Sequence, residues 1–272
     1  MIAFNPLTIA SDLTPELYGK YCQFIYERAG ITLPNNKQTL VAGRITRRMR
    51  DLQLHSTGEY WDYVCEHEEE AQYLVDALTT NETRFFREQR HFDRLTEIAA
   101  QHTGSEPFKV WSAACSSGEE PYSVAMVLAE SLGTRPWQVL GSDINCQVLE
   151  QCRLALYPIN ASELIPRPLL TRYCLEGVNQ LKGRFTVVSE LKQRVNFRQI
   201  NLNTNLPMDD LFDVIFLRNV LIYFDPNTIR TVINRVVQRL KPGGYLFIGH
   251  SENLRGVSPL LQSVEPSVYR RV

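Results

Sequence analysis

The sequence predicts an α/β fold: a parallel sheet covered on both faces by helices, preceded by a small all-helical domain. Three observations predict it. Up to residue 78 the apolar positions recur only at helical spacing, and from residue 107 short apolar strands alternate with amphipathic helices. The length, 272 residues, exceeds one average domain of roughly 150. Strands alternating with helices mean βαβ units, hence parallel strands buried on both faces.

The elements follow in order. Leu17, Tyr18, Tyr21, Cys22, Phe24 and Ile25 mark a first helix, with Thr14 as N-cap and Pro15 at its first position, ended by Gly30 and Pro34. Further helices are expected over Gln38–Leu52, Tyr60–Cys65 and Glu69–Leu78. The stretch from Thr79 to Glu88 is polar at its start yet carries Phe85 and Phe86, so it reads as a linker pinned to something. A helix over His91–His102 stops at Gly104. Strands are expected at Phe108–Ala114, Trp137–Asp143, Val195–Ile200, Phe212–Leu217 and Tyr245–His250, with one or two more in Val264–Val272. The intervening helices are Pro121–Leu132, Val148–Leu156 and Asn227–Leu240, the last closed by Lys241-Pro242-Gly243-Gly244. Between Tyr157 and Leu191 the alternation breaks at Pro158, Pro166 and Pro168; this segment reads as a helix followed by a small antiparallel β insertion at about 180–198. The expected domains are thus 1–78 (helical), 79–93 (linker) and 94–272 (α/β).

Composition bounds the function. A hydrophobic fraction of 44% and a charged fraction of 22% are those of a soluble globular chain that buries a core without staples. No apolar run reaches the ~20 residues of a membrane helix, and Met1–Ser11 lacks the basic start and apolar stretch of a secretory signal, so a cytoplasmic protein without membrane insertion is expected. The six cysteines form no CxxC pair and no zinc-spaced cluster with histidine, which points to reduced thiols and no metal site. With a net charge of −1, bulk electrostatics favour no polyanionic partner such as nucleic acid, and charge recognition must be local.

Ligands of an open α/β sheet bind beyond the carboxyl ends of the strands. After the first strand, Ala113-Ala114-Cys115-Ser116-Ser117-Gly118-Glu119-Glu120 is a small-residue turn opening a helix. It is not GxGxxG. Glu119 and Glu120 would repel a pyrophosphate there but pair with an ammonium group, which favours a cofactor bearing an amino acid; a capped helix start is the competing reading. Asp143, ending the second strand 25 positions past Gly118, near the spacing of about 20 at which such a carboxylate meets ribose hydroxyls, suits that role, and equally caps the next helix. Asn201 and Leu202 follow the third strand and suit an adenine edge and face. Arg218 and Asn219 follow the fourth. Together these outline an adenosine-plus-amino-acid site. The Leu217-to-Phe224 sequence is not DPPY or NPPY, which lowers amino-group methylation of bases or glutamine, and no Pro-Cys dipeptide offers a cysteine nucleophile. Of the histidines, His250 alone falls at a strand end near this site. Arg44, Arg47 and Arg48 share one face of the second helix. That face is either a solvated basic surface or a dock for an acidic helical partner; nucleic acid, a third reading, lacks a wider basic and aromatic platform.

The segments LTTNETRFFRE, VWSAACSSGEEPYSVAM, SDIN and FLRNVLIYFD, in this order, resemble the chemotaxis receptor glutamate O-methyltransferase family, CheR, from about residue 16 to the C-terminus. Cys115 departs from it, standing where a small residue such as alanine is expected. The resemblance implies a helical N-terminal domain, a linker, and a Rossmann-like class I methyltransferase domain with a β insertion. It implies S-adenosylmethionine as cofactor and S-adenosylhomocysteine as product. It assigns Asn81, Thr83 and Arg87 to fold over the cofactor, one of Glu119 and Glu120 to its methionine end, Asp143 to the ribose, and Asn201 and Leu202 to the adenine. Arg218 and Asn219 would contact the cofactor too. Arg87 and Tyr223 would lie near the reacting methyl group. Arg44, Arg47 and Arg48 would contact the acidic helical bundles of the receptors' cytoplasmic domains, and the β insertion a receptor's C-terminal tether peptide, as in some members. A monomer is expected, since no extended apolar stripe is left over. Two readings compete: methylation of another substrate, a small acid or RNA, and a non-catalytic module that senses S-adenosylmethionine.

Overall fold

The computed structural model describes residues 12–272, so the Met1–Ser11 stretch read above for a leader lies outside the described residues. The chain forms two compact units, residues up to Thr80 with Tyr223–Thr228, and Asn81–Ile222 with Ile229–Val272.

The first unit holds α1 (Pro15–Ala29), α2 (Gln38–Asp51), α3 (Thr57–Glu66) and α4 (Glu68–Leu78). Thr14 caps α1 through a hydrogen bond from the Leu17 N–H to its Oγ1 (3.2 Å), and the helix ends where the Gly30 N–H donates to the Tyr26 carbonyl. Ser56 caps α3 in the same way, accepting from the Glu59 N–H (3.1 Å), so α3 starts three residues before the expected Tyr60. Val41, Ile45 and Met49 lie one turn apart on α2 and are fully buried with Tyr21, Ile25, Tyr60 and Leu74. Each such side chain contributes ~1.5–3 kcal/mol on leaving water. Tyr223–Thr228 joins this unit through the Thr32 N–H donating to the Tyr223 carbonyl (2.8 Å) and an antiparallel bridge between Ile31 and Phe224.

The second unit begins with the linker and α5 (Gln89–Ala100), then β1 (Phe108–Ala113), α6 (Glu119–Leu132), β2 (Trp137–Asp143), α7 (Cys146–Leu154), β3 (Leu156–Pro158), α8 (Arg167–Tyr173), β4 (Cys174–Glu176), β5 (Arg184–Val187), α9 (Ser189–Lys192) and β6 (Val195–Gln199). It continues with β7 (Phe212–Leu217), α10 (Pro226–Val237), β8 (Leu240–Ile248), β9 (Leu261–Glu265) and β10 (Val268–Arg271). The main sheet has the order β6-β2-β1-β7-β8-β10-β9. The strands from β6 to β8 are parallel; β10 runs antiparallel to both of its neighbours. Successive strands move outward from β1 in one direction and from β7 in the other, so the switch point lies between them. Val110, Val214, Phe216 and Phe247 on these strands are buried and pack with Phe92 and Leu95 of α5 and with Val124 and Leu128 of α6.

Two expectations are corrected. The β insertion is the three-stranded antiparallel sheet β3-β5-β4, spanning 156–187, not 180–198. Val195–Gln199 belongs to the main sheet, paired in parallel with β2 from Val139↔Val195 to Asp143↔Gln199. The first strand of the insertion lay hidden at the end of a helical pattern: Ala155, at φ 48°, turns the chain out of α7. Likewise α10 stops at Val237 and β8 begins at Leu240. Lys241-Pro242-Gly243-Gly244 is therefore inside the strand, at the register shift opposite Phe212 and Val214, where Lys241 Nζ binds the Asp213 carboxylate (2.8 Å).

Candidate functional site

The turn between β1 and α6 is conformationally costly. Ala114 (φ 62°), Ser116 (φ 51°) and Gly118 (φ 98°) are all left-handed, a state that costs a non-glycine residue of order 1 kcal/mol or more. It persists because its neighbours fix it. Asp143 Oδ2 accepts from the Ser116 N–H (2.9 Å), and the Ser142 carbonyl accepts from the Cys115 N–H (2.8 Å). Tyr157 Oη donates to the Ser117 carbonyl (2.9 Å) and Cys152 Sγ to that of Ser116 (3.0 Å). No side chain fits at Gly118, since an added Cβ would lie 2.8 Å from Tyr157 Oη. Cys115, the departure from the expected small residue, is buried beneath this turn with Leu149 and Cys152.

Asp143 is buried at the end of β2, and its Oδ1 also accepts from the Asn145 N–H (3.0 Å). The Asp143 carbonyl in turn accepts from the Ile200 N–H (3.0 Å), which sets Asn201 and Leu202 just beyond the paired ends of β2 and β6. Asn201 Oδ1 closes its own turn on the Asn203 N–H (2.9 Å), and Leu202 is buried.

The two glutamates of α6 diverge. Glu120 accepts from Ser112 Oγ on β1 (2.7 Å) and from Arg218 Nη1 just past β7 (2.9 Å), so it stands between the two strands that flank the switch point. Burial pushes its carboxyl up against the pull of Arg218 and Ser112. Glu119 instead accepts from Ser117 Oγ (2.6 Å), and burial raises its carboxyl too.

Arg218 is the centre of this electrostatic arrangement. Its side chain is 1% exposed and lies between Glu120 and Glu88, whose Oε2 is 3.0 Å from Nη2. Nη2 also donates to the Arg87 carbonyl. The guanidinium thus clamps the linker onto α6. Burial works to raise the Glu88 carboxyl, but Arg218 and the His250 N–H outweigh it and hold the group below the usual carboxylate range. Glu88, His91 and His250 bring one ligating atom each within 4.8 Å of one another. Arg218 already supplies the positive charge that a cation would bring to Glu88.

The linker belongs to the second unit from Asn81 onward. The Asn81 carbonyl accepts from Ser116 Oγ (2.6 Å), and the Phe86 N–H donates to Ser123 Oγ (3.0 Å). Phe85 packs edge-on against Tyr157 (4.9 Å between centroids), Phe86 against Phe92 (5.0 Å). Arg87 Nη1 donates back to the Glu82 carbonyl (3.0 Å), and Thr83 and Arg87 are half-buried.

Asn81, Thr83, Arg87, Glu119, Glu120, Asp143, Asn201, Leu202, Arg218 and Asn219 therefore all lie in the second unit, while Tyr223, Arg44, Arg47 and Arg48 lie in the first. The basic face of α2 is not what its spacing suggests. Arg44 donates to the Leu78 and Thr79 carbonyls (2.7 and 2.9 Å), and Arg48 grips buried Glu70 through Nε and Nη2 (3.0 and 2.6 Å). Both turn inward to satisfy buried acceptors, and Arg47 is the exposed member of the three. Sequence reasoning passed over Glu88, and also Glu252, whose carboxylate accepts from the Asn219 N–H (2.9 Å). Neither lies in a spacing pattern that marks it; an acidic residue between two expected site loops was the one available signal.

Fold and site together define a Rossmann-like S-adenosylmethionine-dependent methyltransferase. A family model described as CheR methyltransferase, SAM binding domain, matches residues 81–269, and one described as CheR methyltransferase, all-alpha domain, matches residues 16–79. The chain is 42% identical over 260 residues to chemotaxis protein methyltransferase 2 of Pseudomonas aeruginosa, covering 94% of this chain and 93% of the relative. It is also 42% identical to the chemotaxis protein methyltransferase of Salmonella typhimurium over 243 residues, 87% of this chain and 83% of the relative. The Escherichia coli protein of the same name is 42% identical over 241 residues, 87% and 84% of the two chains. The chain belongs to the CheR methyltransferase family, with S-adenosylmethionine as its cofactor and methylation in chemotaxis as its function.

Proposed function

We propose that this protein esterifies glutamate side chains on the cytoplasmic domains of chemotaxis receptors. The observation that carries the reading is Glu120, a carboxylate held by Ser112 and Arg218 at the switch point of a chain whose two domains both match the family. One of Glu119 and Glu120 pairs with the cofactor's ammonium; the Glu119 carboxylate is held by Ser117, that of Glu120 by Ser112 and Arg218. Asp143 takes the ribose hydroxyls and Asn201 with Leu202 frames the adenine. Asn81, Thr83 and Asn219 complete the enclosure.

When bound, S-adenosylmethionine supplies an electrophilic methyl group. The receptor glutamate is already a carboxylate at neutral pH, with an ordinary pKa of about 4.3, so this chain needs no general base. Its task is to align one carboxylate oxygen with the methyl at ~3 Å and to keep water out. Arg87 orients that carboxylate and Tyr223 shapes the transfer channel. Arg47, exposed on α2, meets the acidic helices of the receptor. The small sheet, where Leu175 and Val178 are 56% and 72% exposed, takes a receptor's C-terminal tether peptide. The enzyme works as a cytoplasmic monomer; among the described residues no helix is long and apolar enough to cross a membrane.

Two measurements test this. Calorimetric titration with S-adenosylhomocysteine is expected to show binding that Asp143→Ala abolishes. Incubation with receptor and methyl-labelled cofactor is expected to give alkali-labile label released as methanol, the signature of an ester. Alkali-stable label would assign the transfer to nitrogen and overturn the glutamate reading. Label on RNA in place of receptor would favour the competing substrate.

A further inference from the structure

The turn after β7 carries Arg218 and Asn219, and nothing within its own sequence explains its shape. Asn219 is left-handed, at φ 56°, and the buried Leu221 follows at once. The backbone N–H groups of Asn219 and Leu221 find no acceptor in the turn itself. Both donate to the carboxylate of Glu252, to Oε2 at 2.9 Å and Oε1 at 2.8 Å. The Gly249 N–H adds a third bond to Oε2 (2.6 Å), and the Glu252 N–H closes its own turn on the Gly249 carbonyl (2.9 Å). One carboxylate thus ties the loop ends of β7 and β8 together through backbone donors that include Asn219, Leu221 and Gly249. The approach is too close for any side chain at Gly249, where an added Cβ would first meet the Asn219 side-chain amide and would lie 2.9 Å from the Asn219 N and Glu252 Oε2. Hydrogen bonds from backbone N–H to an ionised carboxylate are about twice as strong as neutral ones, which offsets the cost of holding asparagine left-handed.

We infer that Glu252 is a positioning residue for methyl transfer, holding the Arg218–Leu221 turn so that Asn219 faces the cofactor. It touches neither cofactor nor substrate; it acts through the backbone of Asn219. The inference rests on the placement of Asn219 at the cofactor given under Proposed function. Burial raises the Glu252 carboxyl on balance, against the opposing pull of the backbone donors.

The test is a double-mutant cycle in the full-length protein, read by calorimetric titration with S-adenosylhomocysteine. Glu252→Gln keeps the shape but sets an amide N–H₂ against a backbone donor, and its Kd is expected to rise about tenfold. Glu252→Asp, whose shorter side chain cannot reach both loops, is expected to do likewise and decides the matter if Glu252→Gln fails to fold. In an Asn219→Ala background, either change is expected to add little, because the group it positions is gone. A merely structural role would make the effects multiply fully, and that outcome, or unaltered Kd in both single variants, overturns the proposal. A wild-type Kd in Asn219→Ala overturns the placement of Asn219, and the positioning role with it. A weakened Asn219→Ala beside an unaltered Glu252→Gln and Glu252→Asp overturns the positioning role alone.

Discussion

Arg218 shows how much a single side chain carries in this site. Buried between Glu88 and Glu120, it neutralises part of two charges that would otherwise repel each other in a poorly solvated place. Arg218→Ala is expected to lower the unfolding free energy by about 3–5 kcal/mol in urea titrations, since it leaves both carboxylates buried without a counter-charge. Lysine is expected to rescue it poorly, because one ammonium cannot span the two carboxylates as the guanidinium fork does. Beside it, His91 is 2% exposed, packed on Phe247 and facing Arg218, Glu88 and His250. Burial first, and Arg218 second, lower its pKa from 6.5 to about 4. The native state therefore refuses a proton that the unfolded chain accepts, so stability falls as pH drops from 6.5 towards about 4. The loss over that window is of order 3 kcal/mol. His91→Phe is expected to flatten this part of the stability–pH curve, measured by urea unfolding at pH 7 and pH 5. An unaltered slope would place the titration elsewhere.

At the scale of elements, α2 separates what spacing reveals from what it hides. Arginines at positions 44, 47 and 48 do share a helix face, as their spacing requires. Their direction of use depends on α4, which brings the buried Glu70 under Arg48, with Tyr60 Oη completing the network on Glu70 Oε1 (2.8 Å) and Tyr73 stacked beneath the guanidinium (4.3 Å). Arg48→Ala is expected to destabilise the helical unit by about 3–5 kcal/mol, because Glu70 keeps a buried charge without its counter-ion. Arg47→Ala is expected to stay within about 0.5 kcal/mol of wild type in unfolding while weakening receptor binding in a salt-dependent way. Thermal unfolding and receptor pull-down at two salt concentrations distinguish them. Equal destabilisation by both substitutions would contradict this division of roles. The turn after β1 was legible as a turn because Gly118 and its small neighbours stand between a strand and a helix; its three left-handed residues were not, since Ala114 and Ser116 give no local sign of them.

For the whole molecule, the cofactor is expected to act as a stabiliser of the folded state. S-adenosylhomocysteine at about a hundred times its Kd adds about 2.7 kcal/mol to the unfolding free energy, seen as a rise in the melting midpoint that Asp143→Ala removes. No rise in the wild-type protein at that concentration would mean that the carboxylate-lined turn is not the cofactor's place. The same scale explains why the strand-end residues were found from sequence although their distances were not. In a parallel sheet every strand delivers its following loop to the same edge, so Gly118, Asp143, Asn201 and Arg218 had to converge once the strands were recognised. The small sheet was expected but misplaced, because its strands are three or four residues long and pair antiparallel across 156–187, too short for a periodic pattern to fix their bounds.

The sequence by itself determined the alternation of strands and helices, the helical unit before it, and the residues that end each strand. All are consequences of local periodicity, of capping chemistry and of motifs long enough to carry the family resemblance. Only the tertiary structure decided which charges meet. That Glu120 turns to Arg218 and Glu119 to Ser117, that Arg48 points inward and Arg47 outward, and that Glu252 holds a turn 33 residues away are outcomes of through-space pairing. A buried polar group takes whichever counterpart the fold brings to it, and neighbours in sequence do not encode that choice.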